Sequence, residues 1–123
     1  MKVLKYLELS SDLIKKIESF FPSKIFKAQA HLFYEGQIPN SGFLILAGTI
    51  KVSKKKKIQR ILKAGTLFGL SEVVNRKPIS ITAEAFPDTE VCFIDRTTLL
   101  EIHNKGNEDI YNVFKPLIEE TIK

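Results

Sequence analysis

The chain has 123 residues, of which 44% are hydrophobic and 27% are charged, and its net charge is +5 at pH 7. This length suits one domain, residues 1–123, with a core of its own, and the single cysteine excludes an internal disulfide. No apolar run approaches the ~20 residues that a transmembrane helix needs. The N-terminus "MKVLKYLELSSDL" lacks the apolar stretch of a signal peptide. These features predict a cytoplasmic protein without a membrane span.

The first predicted element is an amphipathic helix near the N-terminus. Ser10, Ser11 and Asp12 are residue types that cap helices. Apolar residues then follow at helical spacing until Pro22, which ends the pattern.

A β-rich region follows, from Ile25 to Ile94. Short runs of β-branched and aromatic residues alternate there with turn residues. The glycines at 36, 42, 48 and 65 indicate corners, and Lys54–Lys57 indicate a hairpin tip. Many short strands at close spacing predict a β-sandwich or barrel. The predicted strands are KIFKA, HLFYEG, GFLILAG, TIKVSK, IQRILKAG, ISITAEAF and TEVCFID.

The helical period returns at the C-terminal end of the chain, after "IDRTTLLEIHN". The last segment, "NEDIYNVFKPLIEETIK", is also predicted to be helical, with a break at Pro116. An apolar stripe at helical spacing there predicts a surface for self-association or for a protein partner. That stripe consists of Tyr111, Val113, Phe114 and Leu117.

Signals for catalysis and metal binding are lacking in the sequence. His31 and His103 have no Cys or carboxylate cluster at metal-ligand spacing, and no motif resembles a nucleophile elbow. Cys92 lies in the apolar run "VCFI", which favours a packing role over a reactive thiol. The lysine run suits contact with nucleic acid or anionic lipid, or a solvated tip that guards a strand edge. We therefore predict no enzyme, no metal and no cofactor.

Several motifs resemble the cyclic nucleotide-binding domain of catabolite-activator-type regulators and protein kinase regulatory subunits. "FYEGQIPNSGFLILAGTIKV" is similar to the entry of that domain, with Glu35-Gly36 and with Gly48 after an aliphatic strand. "LKAGTLFG" resembles the family's L-x-x-G-x-x-F-G, which ends here at Gly69. "DTEVCFIDRTTLLEI" is similar to its last strand and the helix that follows. The likeness extends from about Ser10 to about Lys115.

The resemblance implies a fold that is mainly β with flanking helices. That fold is a double-stranded β-helix (jelly-roll) sandwich with an N-terminal helix, a short cassette helix and C-terminal helices. Transcription factors of the family carry a helix-turn-helix domain after the sandwich. Because this chain stops at Lys123, we expect no DNA-binding domain of that kind.

The resemblance also implies a phosphate-binding cassette at residues 68–83. In the family a glutamate binds the ribose 2′-hydroxyl, an arginine pairs with the cyclic phosphate, and a hydroxyl residue after the arginine helps to select guanine. Here Leu70 stands in the glutamate position and Ile79 in the arginine position, whereas Pro78 matches the pattern. The cassette positions of this chain are Phe68, Gly69, Leu70, Ser71, Glu72, Ile79, Ser80, Ile81 and Thr82.

These two replacements predict a degenerate site. Removing a guanidinium from a buried ion pair costs roughly 2–5 kcal/mol of binding free energy, and the missing glutamate removes a further ~1.5–3 kcal/mol. We therefore expect no binding of cyclic AMP or cyclic GMP at physiological concentration. Either the pocket has collapsed, with Leu70 and Ile79 packed on each other, or it accepts another ligand. In the collapsed case, glutamate at position 70 should rescue arginine at position 79.

Three charged residues of the cassette have two interpretations each. Arg76 and Lys77 lie just before Pro78, so that a shifted loop would bring Arg76 to an anion; the alternative is a pair of solvated turn residues. Glu72 suits either a displaced contact with a ribose hydroxyl or an exposed position near the positive end of a helix dipole.

The sequence as a whole favours a non-catalytic regulatory domain that acts through a protein partner or a homodimer. The alternative is a sensor that binds a cyclic nucleotide or another small ligand with altered specificity.

Overall fold

The computed structural model describes residues 6–105 and residue 112. Nine strands and three helices follow one another along residues 6–105. In chain order they are β1 (Tyr6–Glu8), α1 (Ser11–Glu18), β2 (Ser23–Phe26), β3 (Ala30–Phe33), β4 (Ser41–Ala47), β5 (Thr49–Lys54), β6 (Lys57–Lys63), β7 (Thr66–Phe68), α2 (Leu70–Asn75), β8 (Thr82–Ala85), β9 (Thr89–Asp95) and α3 (Arg96–Lys105).

The strands form two antiparallel sheets. One has five strands in the order β1-β7-β4-β9-β2, and the other has four in the order β3-β8-β5-β6. Every described strand pair is antiparallel. The predicted jelly-roll sandwich with flanking helices is thereby confirmed.

The five-stranded sheet is buried on both faces, because helices cover one side and the second sheet covers the other. Four consecutive residues of β4, Gly42–Ile45, are buried for this reason. We call the buried residues on the two sides the helix-side cluster and the inter-sheet cluster. The helix-side cluster is Ile17, Phe21, Leu44, Leu67, Leu70, Val73, Cys92, Ile94 and Leu99. The inter-sheet cluster is Phe33, Phe43, Ile45, Ile50, Val52, Leu62, Phe68, Ile79, Ile81, Ala83, Ala85 and Val91.

The N-terminal helix has the cap that the sequence predicts. Ser10 is the N-cap residue, and its hydroxyl oxygen accepts a hydrogen bond from the Leu13 amide at 3.3 Å. Ile17 and Phe21 are buried in the helix-side cluster. The cap fixes where the helix begins, and the apolar face fixes α1 against the sheet.

Cys92 has the packing role that the sequence predicts. It is fully buried, and its thiol donates to the Phe21 carbonyl oxygen at 3.6 Å. Burial raises the pKa of the thiol to about 11, and the nearby carboxylates of Glu18 and Glu90 act in the same direction. The thiol is therefore protonated, and unreactive, at neutral pH.

Two sequence-based expectations about the strands are corrected. The two three-residue strands β1 and β7, which pair with each other, are not among the predicted strands. Gly42 is predicted as a corner but lies inside β4, where an added Cβ would be 3.4 Å from the Leu70 Cα. The backbone of α2 thus lies close to the strand at this point.

The C-terminal stripe of Tyr111, Val113, Phe114 and Leu117 lies outside the described residues, as does Pro116. The predicted association surface therefore stays a prediction. Within the part of the chain that the structure describes, no helix is long and apolar enough to cross a membrane.

We expect Gly48→Ala to destabilise the fold by ~2–5 kcal/mol, because strain and overlap act together. Gly48 has φ +84°, and an added Cβ would lie 2.6 Å from Thr89 Oγ1 and 2.7 Å from Thr89 Cα. Thr89 is buried, and its hydroxyl donates to the Thr49 carbonyl at 2.9 Å and so ties the β4–β5 turn to β9.

Gly36→Ala is the matched control for that substitution. Gly36 has φ +94°, but nothing lies within 4 Å of an added Cβ. We expect a loss of only ~1–2 kcal/mol there, from backbone strain. Urea unfolding of both variants measures the difference, and equal losses would contradict the close approach at Gly48.

Candidate functional site

The cassette contains the short helix that the resemblance implies. Gly69 is the N-cap of α2 with φ 79°, a left-handed conformation. The helix runs from Leu70 to Asn75 and ends at Arg76, which is also left-handed with φ 53°. The backbone path of the cassette is therefore present, and the question becomes what its side chains do.

Leu70 and Ile79, the residues in the glutamate and arginine positions, are both core residues. Each is 1% exposed. Leu70 belongs to the helix-side cluster and Ile79 to the inter-sheet cluster. The expected packing of one against the other is therefore not formed. Each side chain is buried in a different cluster, because the five-stranded sheet lies between the two clusters.

The backbone of Ile79 is fixed by the loop between β3 and β4. The Ile79 amide donates to the Gln37 carbonyl at 2.8 Å, and the Ile79 carbonyl accepts from the Gly36 amide at 2.8 Å. This two-bond exchange holds position 79 in place while its side chain faces the inter-sheet core.

The remaining cassette residues are engaged with the chain itself or point to solvent. Phe68 and Ile81 are buried in the inter-sheet cluster. Thr82 accepts the Glu35 amide at its hydroxyl oxygen, at 3.1 Å, and Ser71 accepts the Asn75 side-chain amide at its carbonyl, at 3.0 Å. Ser80 is exposed.

Arg76 and Lys77 lie at the C-terminal end of α2. Arg76 is exposed, and the Lys77 amide donates to the Glu72 carbonyl at 3.0 Å. Because α2 has six residues, this end lies ~9 Å from the first turn. Helix C-termini carry the negative end of the dipole. The geometry thus favours solvated turn residues over an anion contact.

A pair of residues that sequence reasoning missed, Tyr6 and Arg60, lies at the open edge of the sandwich. The Arg60 guanidinium carbon is 4.6 Å from the centroid of the Tyr6 ring, and that ring is 6.2 Å from the ring of Phe68. Arg60 pairs with buried Val52 on β5, so its side chain starts on the inner face of the four-stranded sheet.

The electrostatic surroundings of Tyr6 connect this pair to the cassette. Burial raises the pKa of the Tyr6 phenol; the positive charge of Arg60 opposes the shift, and the negative charge of Glu72 adds to it. Glu72 therefore lies close to the pair. Glu72 lies in the first turn of α2, near the positive end of the helix dipole, as one of the two interpretations has it, but it is half-buried rather than exposed. The contact with a ribose hydroxyl stays a prediction.

A cavity of about 800 Å³ lies beside this pair, between β1 and β7 on one side and β6 on the other. Its polar lining includes Tyr6, Glu8, Arg60 and Lys63. A second cavity, of about 300 Å³, is lined mainly by apolar and aromatic residues such as Phe33, Phe43 and Phe93. Only the first brings charged side chains together.

No metal site is formed by the described residues. No group of three or more His, Cys, Asp or Glu among them is placed to hold an ion. His31 lies on a strand surface, with its Nε2 3.9 Å from a Glu84 carboxylate oxygen and its ring stacked at 4.5 Å on that of Tyr34.

The comparison with protein families agrees with this fold. The model of the cyclic nucleotide-binding domain family matches residues 23–105. The chain belongs to the cyclic nucleotide-binding domain family. No curated protein sequence matches the chain.

Solved structures of this family share the fold at low sequence identity. The catabolite activator protein of Thermus thermophilus superposes with a TM-score of 0.69 and 20% identity, over 91% of this chain and 55% of that one. This chain thus spans about half the length of the activator. The N-terminal domain of a transcriptional regulator from Streptomyces coelicolor gives a TM-score of 0.71 and 11% identity, over 93% and 81% of the two chains.

A third structure, of a putative cyclic nucleotide-binding protein from Geobacter metallireducens, gives a TM-score of 0.64 and 19% identity. The match covers 93% of this chain and 85% of that one. At these identities the likeness shows the fold alone.

We expect Ile79→Arg to destabilise the fold by ~3–5 kcal/mol, because it places an unpaired charge in the inter-sheet core. Leu70→Glu should do the same in the helix-side cluster. Because the two residues lie in different clusters, we expect a coupling energy below ~0.5 kcal/mol in a double-mutant cycle. This replaces the sequence-based expectation that glutamate at position 70 rescues arginine at position 79.

Urea unfolding of the two single variants and the double variant measures this coupling. Ile79→Val is the control, with an expected loss of ~0.5–1.5 kcal/mol. A double variant as stable as the wild type would show that the two side chains meet.

Proposed function

We propose that this chain is a non-catalytic, cytoplasmic regulatory domain of the cyclic nucleotide-binding family that does not hold cyclic AMP or cyclic GMP. In this proposal it forms one domain over residues 1–123 and acts through a protein partner or a second copy of itself. The first half of the proposal, that no cyclic nucleotide is held, rests on the burial of Leu70 and Ile79, which are 1% exposed each.

The energetic argument starts from the charge of the ligand. A cyclic phosphate that leaves water needs a compensating cation or several well-aligned donors. Position 79 offers an aliphatic side chain inside the core instead. The loss of the ion pair alone, ~2–5 kcal/mol, lowers affinity by about one and a half to nearly four decades.

The polar groups that remain in the cassette do not replace what is missing. The hydroxyl of Thr82 is engaged by the Glu35 amide, and the hydroxyl of Ser71 lies 3.4 Å from the Asn75 side-chain amide. The backbone of Ile79 is engaged on both sides by Gly36 and Gln37. A nucleotide would have to displace bonds that the fold already uses.

Titration calorimetry with cyclic AMP and with cyclic GMP tests this half of the proposal. We expect no heat of binding at ligand concentrations up to a few hundred micromolar, because neither charged contact is available. A dissociation constant of a few micromolar would contradict the proposal. Arg60→Gln and Arg76→Gln would then show which guanidinium replaces the one missing at position 79.

The second half of the proposal concerns the partner. Leu100 on α3 is 41% exposed, and α3 leads along the chain towards the predicted stripe of Tyr111, Val113, Phe114 and Leu117. A single exposed apolar side chain is ordinary, so the proposal rests on the predicted stripe, whose apolar residues at helical spacing are typical of a surface that another protein covers.

Phe114→Asp tests this surface, because a charge in the centre of an apolar contact opposes association. We expect light scattering to show a dimer for the wild type and a monomer for the variant. Lys115→Gln, next along the chain, is the control and should leave association unchanged. Association that Phe114→Asp does not alter would contradict the role of the stripe.

A sensor for another ligand is the second candidate function, and the cavity of about 800 Å³ supports it. Arg60 and Lys63 in its lining would select a small anion, with the Tyr6 ring as an apolar wall.

A further inference from the structure

The hairpin formed by β5 and β6 concentrates the positive charge of the chain. Residues 49–63 contain seven of the 19 basic residues and none of the 14 acidic ones. The basic residues are Lys51, Lys54, Lys55, Lys56, Lys57, Arg60 and Lys63. Without this hairpin the chain would carry a slight negative charge, so the positive field comes from one edge of the molecule.

The turn of this hairpin holds two lysines in a conformation that lysine rarely adopts. Lys55 and Lys56 have φ 51° and 67°. Two-residue turns with positive φ at both positions usually contain Asn-Gly, which carries less strain. The Lys55 amide donates to a Glu35 carboxylate oxygen at 2.8 Å, which anchors the tip. Asn-Gly would form this turn with less strain, yet the chain has two lysines there.

A β-bulge in β6 places two isoleucines on the outer face of the hairpin, next to the lysine tip. Ser53 pairs with Ile58 and Lys51 pairs with Ile61, while Gln59 is the extra residue between them. Residues three apart in a regular strand face opposite sides of the sheet, and the bulge removes that difference. Ile58 is 63% exposed and Ile61 is 43% exposed.

Most of the charge on this face is uncompensated within residues 6–105. Lys51 is paired with Glu84 at 3.0 Å, and Arg60 is stacked on Tyr6, so neither adds to the outer field. Lys54–Lys57 and Lys63 are exposed, and the structure gives them no ion pair within the described residues. Ile58 and Ile61 therefore lie between the lysines of the tip and Lys63, which starts on the same outer face because it pairs with Thr49.

We propose that this outer face of the β5–β6 hairpin docks on an anionic lipid bilayer. Lysines attract an anionic headgroup layer as point charges, and aliphatic side chains enter the boundary between headgroups and acyl chains. Single-stranded nucleic acid is bound instead by free aromatic faces and arginines. On this face the Tyr34 ring is stacked on His31, and the one arginine points away from it. The observations therefore favour lipid.

The size of the effect follows from the number of charges. Each lysine close to an anionic surface accounts for roughly a five-fold change in the partition coefficient. The lysines of the tip, with one or two inserted isoleucines, are enough for reversible binding that falls steeply with salt.

Co-sedimentation with vesicles tests the proposal. The vesicles are phosphatidylcholine alone, or phosphatidylcholine with 30% phosphatidylserine. We expect binding only to the second kind, with loss at 0.5 M NaCl. The decisive variant is Lys55→Asn with Lys56→Gly, because it supplies the preferred turn residues and removes two charges. Its melting temperature should equal or exceed that of the wild type, while its partition coefficient falls at least ~10-fold.

Lys15→Gln with Lys16→Gln is the matched control. It removes two exposed lysines from α1, which lies on the helix side of the sandwich, and should leave the partition coefficient within two-fold. Ile58→Ser tests insertion and should lower it several-fold at unchanged charge.

Three results would overturn the proposal. The first is equal binding to both kinds of vesicle, and the second is unchanged binding by the Lys55→Asn, Lys56→Gly variant. The third is binding of duplex DNA or poly(U) under conditions in which the vesicles do not bind.

Discussion

The structure depends on one constraint, which is that the five-stranded sheet is buried on both faces. Along β4, Leu44 faces the helices, while Phe43 and Ile45 face the second sheet. Alternate residues of one strand therefore supply two separate cores. Any segment that passes the sheet edge can send one side chain to each core, and the cassette does so with Leu70 and Ile79. Packing on both sides of the sheet therefore fixes the position of the cassette.

This arrangement explains the packing of the cassette. Leu70 reaches the helix-side cluster and Ile79 reaches the inter-sheet cluster. Aliphatic residues at the same positions contribute to the hydrophobic stabilisation of the fold, roughly 1.5–3 kcal/mol each when fully buried. The glycine cap of α2 and the close approach of Gly42 to Leu70 still shape the loop. Leu70 and Ile79 therefore contribute to the stability of the fold from two different cores.

Local patterns in the sequence predicted most of the fold, and long-range geometry accounts for what they did not. The Ser10 cap and the strands from β2 to β6, β8 and β9 follow from residue type and periodicity. The strand β1 has three residues and forms only through its pairing with β7, so nothing local marks it. Leu70 and Ile79 lie in separate clusters because they pack on opposite faces of the five-stranded sheet. The side chain of Arg60 starts on the inner face because of a bulge in β6, which only the strand pairing reveals. The pairing of Tyr6 with Arg60 at the open edge therefore could not be predicted from the sequence, whereas the aliphatic residues at positions 70 and 79 could be read from it directly.

The loop between β3 and β4 links regions that are far apart along the chain. Glu35 accepts the Lys55 amide at its carboxylate and donates its own amide to Thr82, and the next residue, Gly36, binds the Ile79 carbonyl. Three successive hydrogen bonds thus run from the hairpin tip through one dipeptide into the cassette. Because one dipeptide makes all three bonds, a displacement of the lysine tip would also move the segment that follows the cassette helix.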